Sequence, residues 1–213
     1  MLIQGQVGFP ASKAAAGTNP PAPAGTLGEL LESRLLPDYY TLTKAGMLFT
    51  SAIAALNPGA FVGGAGGSPL IGLYNPSTSG KDLVLLEAVV GIRTTGTAAV
   101  AADFNHWAVN QGGVAVSGVA TPARNLYSMG LSGSVAVAMQ NVVNTGALAS
   151  ALLRPSVSVG LTGATGAPNV QLLRDEIRGG IIIPPGVYYA FGSSVAFTGA
   201  SVDVALIWAE IAA

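Results

Sequence analysis

The sequence contains no cysteine and a single histidine in 213 residues. Without thiols there are no disulfides, no thiol nucleophile and no thiolate metal site. One imidazole alone falls short of the three or more ligands that a zinc site needs. Charge is scarce as well. Only 9% of the residues are charged, against roughly 25% in an average soluble chain. The 9 basic and 10 acidic residues leave a net charge of −1, so the electrostatic footprint of a nucleic-acid binder is missing. No run of about 18 apolar residues is present to form a membrane helix. The stretch Asn125 to Leu153 is long and uncharged, but Gln140, Asn141 and Asn144 interrupt it. Two tryptophans are too few for the aromatic girdles of a membrane barrel. Met1 to Pro10 lacks a basic start and an apolar stretch, so no signal peptide is expected.

What remains is apolar and glycine-rich. Half the residues are hydrophobic and 29 are glycine. A surface so poor in charge is weakly soluble alone, which predicts burial against copies of the chain or a partner. Residues 1–37 stand apart in composition. Pro10 to Gly25 is rich in Ala, Pro and Gly and cannot bury enough apolar surface to fold by itself. Thr26 to Leu36 reads as a short helix, with Thr26 and Glu29 forming a capping box and Pro37 ending it, or as an extended linker, since Leu-Leu pairs also suit strands. Residues 38–213 are expected to form one β-sandwich domain.

Within that domain, strand and turn signals alternate. Asp38 to Lys44 and Met47 to Ile53 read as a hairpin around Ala45-Gly46. Leu70 to Tyr74 and Asp82 to Arg93 read as a second hairpin around Asn75 to Gly80. In the longer strand Val84, Leu86, Ala88, Val90 and Ile92 share one face. Leu83, Leu85, Glu87 and Val89 share the other, and this mixed face is a candidate interface. Asn57 to Pro69 is a glycine-dense loop without the Lys-Ser/Thr ending of a phosphate cradle. Further strands are expected at Ala98 to Val109, Arg124 to Leu131, Ser134 to Asn144 and Val157 to Leu161, with a helical turn at Gly146 to Leu153. Near the end, Ile181 to Ile183 and Val187 to Phe191 bracket the turn Pro184-Pro185-Gly186, and Val202 to Ile211 is apolar on both faces. Nine to eleven short strands with turns between them, and no fixed-period repeat, indicate an antiparallel all-β sandwich with at most one or two short helices.

Candidate chemistry is thin. His106 lies near Asp103, but an odd separation on a strand puts the two on opposite faces, so a Ser-His-Asp site is not expected. Asp175 and Glu176, flanked by Arg174 and Arg178, form the densest charge cluster. Adjacent carboxylates on an extended chain point apart, which argues for salt bridges over paired acid–base work. Asp82, Glu87 and Asp175 lack the acidic density of a calcium loop. Tyr39, Tyr40, Tyr188, Tyr189, Phe191 and Trp208 lie in expected strands and read as core. No catalytic, metal-binding or cofactor residues are therefore expected, and the chain reads as non-enzymatic.

The Ala/Pro/Gly-rich arm, SGKDLVLLEAVVGI after LYNPST, IIIPPGVYYAFG and the strand VDVALIWAEI together resemble a virion structural protein of a tailed bacteriophage, similar to the capsid decoration (cement) proteins. That resemblance implies a jelly-roll-like sandwich, assembly as a homodimer or homotrimer, the major capsid protein as partner, and a place on the capsid surface after synthesis in the host cytoplasm. It implies no nucleic-acid or membrane partner. The alternative is a head or tail fibre module that recognises a host glycan. Docking of the arm on a neighbour would use Leu2, Ile3, Val7 and Phe9 as anchors.

Overall fold

The computed structural model describes residues 6–7, 23–24, 39–56, 59–61, 69–94, 100–110, 117–130, 133–143, 150–161, 172–196 and 201–213. The chain divides into two units, residues 1–40 and 41–213. In the first, the short strands β1 (Gln6–Val7) and β2 (Pro23–Ala24) pair in parallel. The expected helix at Thr26 to Leu36 lies outside the described residues.

The second unit opens on the helical turn α1 (Tyr40–Lys44), where the sequence predicts a strand. The cause lies at its end. Gly46 adopts φ +70°, Met47 N–H donates to the Leu42 carbonyl and Gly46 N–H to that of Thr43. This pair of bonds closes a helix on a left-handed glycine, so Ala45-Gly46 caps a helix instead of turning a hairpin. The strands that follow are β3 (Leu48–Leu56), β4 (Ile71–Tyr74), β5 (Lys81–Thr94), β6 (Val100–Asn110), β7 (Ser117–Thr121), β8 (Arg124–Asn125), β9 (Val137–Val143), β10 (Ser150–Leu161), β11 (Leu172–Ile183), β12 (Val187–Ser193) and β13 (Ser201–Ala212). The Gly146 to Leu153 helical turn is thus not formed where it is described, because residues 150–153 begin the long strand β10.

The strands build two antiparallel sheets packed face to face. One runs β10-β6-β12-β4-β9-β7 and the other β11-β5-β13-β3-β8. Eight strands follow a nested order. β3 pairs with β13, β4 with β12, β5 with β11 and β6 with β10, all antiparallel. The first half of the domain is thereby folded back against the second, with β7, β8 and β9 inserted between β6 and β10. The expected hairpin around Asn75 to Gly80 is corrected by this order, and the two strands that bracket Pro184 do not pair with each other either. β4 and β5 lie in different sheets, and so do β11 and β12.

Two crossings at one end explain how. Pro185 and Gly186, with φ +83° at the glycine and Val187 N–H donating to Pro184 O at 3.2 Å, make a turn that needs glycine at its third position. Buried Asn75 ties this crossing to the other: its Nδ2 donates to Ile183 O at 2.9 Å and to Lys81 O at 2.7 Å. Its backbone exchanges bonds with Gly186 and Val187.

The main core fills the space between the sheets. Phe49, Leu73, Phe104, Phe191, Leu206 and Trp208 are among its fully or nearly fully buried members. A second apolar cluster of Phe61, Trp107, Met139, Tyr188 and Ala190, with Tyr74 against it, sits on the opposite side of the six-stranded sheet. Phe61 comes from the stretch read as a plain glycine-rich loop. Its ring meets Trp107 edge-on at 5.6 Å, and its N–H donates to Ser193 O at 2.7 Å.

Candidate functional site

The polar residues that converge do so between the sheets, at the edge formed by β10 and β11. His106 on β6 points inward and is fully buried. Its Nδ1 lies 2.5 Å from Tyr189 Oη on the neighbouring β12, and its Nε2 lies 2.8 Å from Asp175 Oδ2 on β11 of the opposite sheet. Arg154, directly opposite His106 in the β10–β6 register, donates to the other oxygen of Asp175. Four side chains from four strands thus form one chain, Tyr189–His106–Asp175–Arg154. The ring of Phe191, 5.0 Å from the imidazole, closes one side.

Its protonation follows from the surroundings. Burial holds the His106 pKa below 6.5, against the opposing pull of the Asp175 hydrogen bond and charge. For Asp175, burial pushes up, but hydrogen bonds from Arg154, Ser156 and His106 outweigh it and leave its pKa lowered. Ser156 Oγ stands beside the carboxylate without a well-formed partner geometry. Burial raises the Tyr189 hydroxyl well above its ordinary value, with the Asp175 charge adding to the effect. At neutral pH the carboxylate is therefore ionised, the imidazole neutral and the phenol protonated. Nε2–H donates to Asp175, and Nδ1 accepts from Tyr189 O–H. The imidazole has both nitrogens engaged and no exposed surface, so the group acts as a strut between sheets.

Asp103, the neighbour singled out in the sequence, is exposed and faces away from His106. The carboxylate that meets the imidazole is Asp175, 69 residues on. Asp175 and Glu176 do point apart: Glu176 is exposed and pairs with Arg178, which lowers its pKa. Arg174 reaches Glu87 with two bonds of 2.6 and 2.8 Å. Among the described residues no three carboxylate or histidine groups gather for a metal ion.

A second buried charge was not anticipated. The Glu210 side chain, on β13, has no exposed surface. It accepts from Ser134 Oγ at 2.7 Å and from Val135 N–H at 3.0 Å, and Lys81 Nζ lies 3.1 Å away. The carboxylate anchors the segment leading into β9 to the centre of the other sheet. Its sequence signal was an acid set among apolar residues near the end of the strand, Trp208-Ala209-Glu210-Ile211.

The expected interface residues divide. Leu83 and Leu85 are fully buried in the core, a correction to the outward placement that simple alternation gives. Opposite them, Ile207 pairs with Glu87 while Trp208 pairs with Leu85, so Leu86 is an extra residue in β5. Such a bulge switches the face of every residue beyond it. Glu87 and Val89, on the far side of the bulge, do lie on the outer face. Leu2, Ile3 and Phe9 fall outside the described residues, and of Val7 only the backbone pairing with Ala24 is described. Tyr188, Tyr189, Phe191 and Trp208 are buried as core, whereas Tyr40 is exposed.

The chain matches no protein-family model, no curated protein and no solved structure.

Proposed function

We propose that this chain is a non-enzymatic structural subunit of a bacteriophage virion, a capsid decoration protein that stabilises the head by bridging capsid subunits. The observation that carries the reading is the use made of the charged and polar groups. His106, Asp175 and Glu210 are spent on cross-linking two sheets, with their atoms satisfied by the chain itself. The nested pairing of β3–β6 with β13–β10 supports a jelly roll, an arrangement common in capsid proteins. The low charge of the sequence supports a chain that works in an assembly.

The test is co-sedimentation of the native protein with intact particles, followed by counting copies per capsid. Stoichiometric retention on the heads is expected. A protein recovered wholly in the soluble fraction, with heads free of it, sinks the reading.

A further inference from the structure

We propose that the outer face of the five-stranded sheet is the surface on which a second copy of this chain docks, sheet against sheet. The inference rests on the assembly reading above and adds the partner and the residues.

The other surfaces among the described residues are less suited to such contact. On the outer face of the six-stranded sheet the Phe61–Trp107 cluster is buried, and the exposed Leu152 and Val137 stand on separate strands, β10 and β9, with no hollow of small residues described beside them. The long edge strands are blunted. β10 has Pro155 and two register breaks, and β11 carries charged side chains and a break around Arg178 and Gly179, both at positive φ. Proline, charge and bulges are the features that keep sheet edges from pairing with other chains. At the opposite ends, β7 and β8 are only 5 and 2 residues long.

The remaining face is shaped to meet itself. Gly91, Ala205, Ala52 and Ala54 form the floor of an apolar depression of about 370 Å³, with Val89 at its side. Leu172 stands at the rim, 73% exposed, the most exposed large apolar side chain of the described residues. A projecting leucine beside a small-residue hollow on one face is the arrangement a twofold axis uses, the knob of each copy filling the hollow of the other. Charge does not oppose the approach. Glu87 is paired with Arg174 and Asp203 with Arg93, so the face brings no unbalanced charge to a copy of itself. The area is adequate. Four strands spaced about 4.8 Å, over roughly nine residues of about 3.4 Å, present roughly 600 Å² per copy and roughly 1,200 Å² for the pair, the start of the range for stable interfaces.

The experiment measures self-association of the full chain by analytical ultracentrifugation, alongside Leu172→Asp and Ala52→Lys, both at exposed positions. A dimer is expected for the parent. Self-association at least about tenfold weaker is expected for each variant, with a far-ultraviolet circular dichroism spectrum unchanged from the parent. Because the chain has no cysteine, a spin label on Ala54→Cys reports on this face alone, with Val119→Cys on the other sheet as control. A short label-to-label distance at position 54 and none at 119 is expected, and this readout stands even if a charged variant misfolds. A monomeric parent at high concentration, variants that associate as tightly as the parent, or a short distance at 119 in place of 54 overturns the proposal. A dimer with these properties that fails to sediment with particles removes the decoration reading and leaves the docking face intact.

Discussion

His106 and Asp175 join the two sheets of the sandwich: imidazole Nε2 on one and carboxylate Oδ2 on the other lie 2.8 Å apart. The contact makes stability depend on pH, and the sign follows from the directions of both pKa shifts. The folded His106 pKa is lowered, chiefly by burial, so the unfolded chain takes up the proton first. The contribution is complete above the unfolded value of 6.5 and is lost as pH falls from there toward the lower folded value. The Asp175 contribution, also from a lowered pKa, persists until pH falls through the carboxylate range. Melting temperature is expected to drop between pH 7 and 5 in the parent and to stay nearly level over that interval in His106→Gln. A variant with the same slope as the parent would place the titration elsewhere. His106→Ala is expected to lose about 2–4 kcal/mol, since it leaves the buried Tyr189 hydroxyl without its partner, opens a cavity in the core and leaves Asp175 held by Arg154 and Ser156 only.

Glu210 concentrates several bonds on one buried carboxylate. Glu210→Ala removes the acceptor of both the Val135 N–H and the Ser134 hydroxyl, and a loss of about 2–4 kcal/mol is expected in urea unfolding. Lys81→Met leaves the fully buried carboxylate without its counter-charge but keeps the bonds from Ser134 and Val135, and a smaller loss of about 1–2 kcal/mol is expected. Equal losses for the two would show that the ion pair, and not the backbone anchoring, dominates.

Tyr188 and Gly72 are matched by close approach. A Cβ on Gly72 would lie 1.8 Å from Tyr188 Oη and 2.3 Å from the ring carbon that bears it. Gly72→Ala is therefore expected to destabilise by more than about 2 kcal/mol. Tyr188→Phe removes a buried hydroxyl that has no partner and whose ionisation burial suppresses. It is expected to leave the protein as stable as before or more so, by up to about 1 kcal/mol. A clear loss of stability in Tyr188→Phe would reveal a bond to that hydroxyl.

Deletion of residues 1–25 is expected to leave the melting temperature of the sandwich within a few degrees of the parent, because residues 41–213 hold the core described above. Occupancy on particles is expected to fall, since the proline-rich arm loses little entropy on docking. Unchanged occupancy would make the arm a passive tail.

The sandwich was legible because Ile181 to Ile183, Val187 to Phe191 and Val202 to Ile211 carry β-branched or aromatic residues between turn signals. Pairing was not legible. The turns at Asn75 and Pro184 look like hairpin turns locally, and only Asn75, bonded to both crossings, shows that they carry the chain between sheets. The face of Leu83 and Leu85 was misassigned because one extra residue at Leu86 leaves no mark in a run of leucines and valines. The strut escaped notice because Arg154, Asp175 and Tyr189 are distant in sequence from His106 and meet it only through the nested order. What the spacing did establish was the negative: Asp103 does not serve His106.

The nested order also sets when the fold can form. β13 lies in the middle of its sheet, hydrogen-bonded to β5 on one side and β3 on the other, yet it follows every other strand described. Those two strands cannot bond through it until residues 201–212 have been made. They emerge from the ribosome with apolar edges open and must wait. Pairings this distant in sequence close slowly, and the waiting strands are the kind that recruit foreign edges. A chain halted before Ser201 is therefore expected to depend on chaperones or aggregate, whereas the full chain closes its sheet by inserting one strand into a gap already waiting for it.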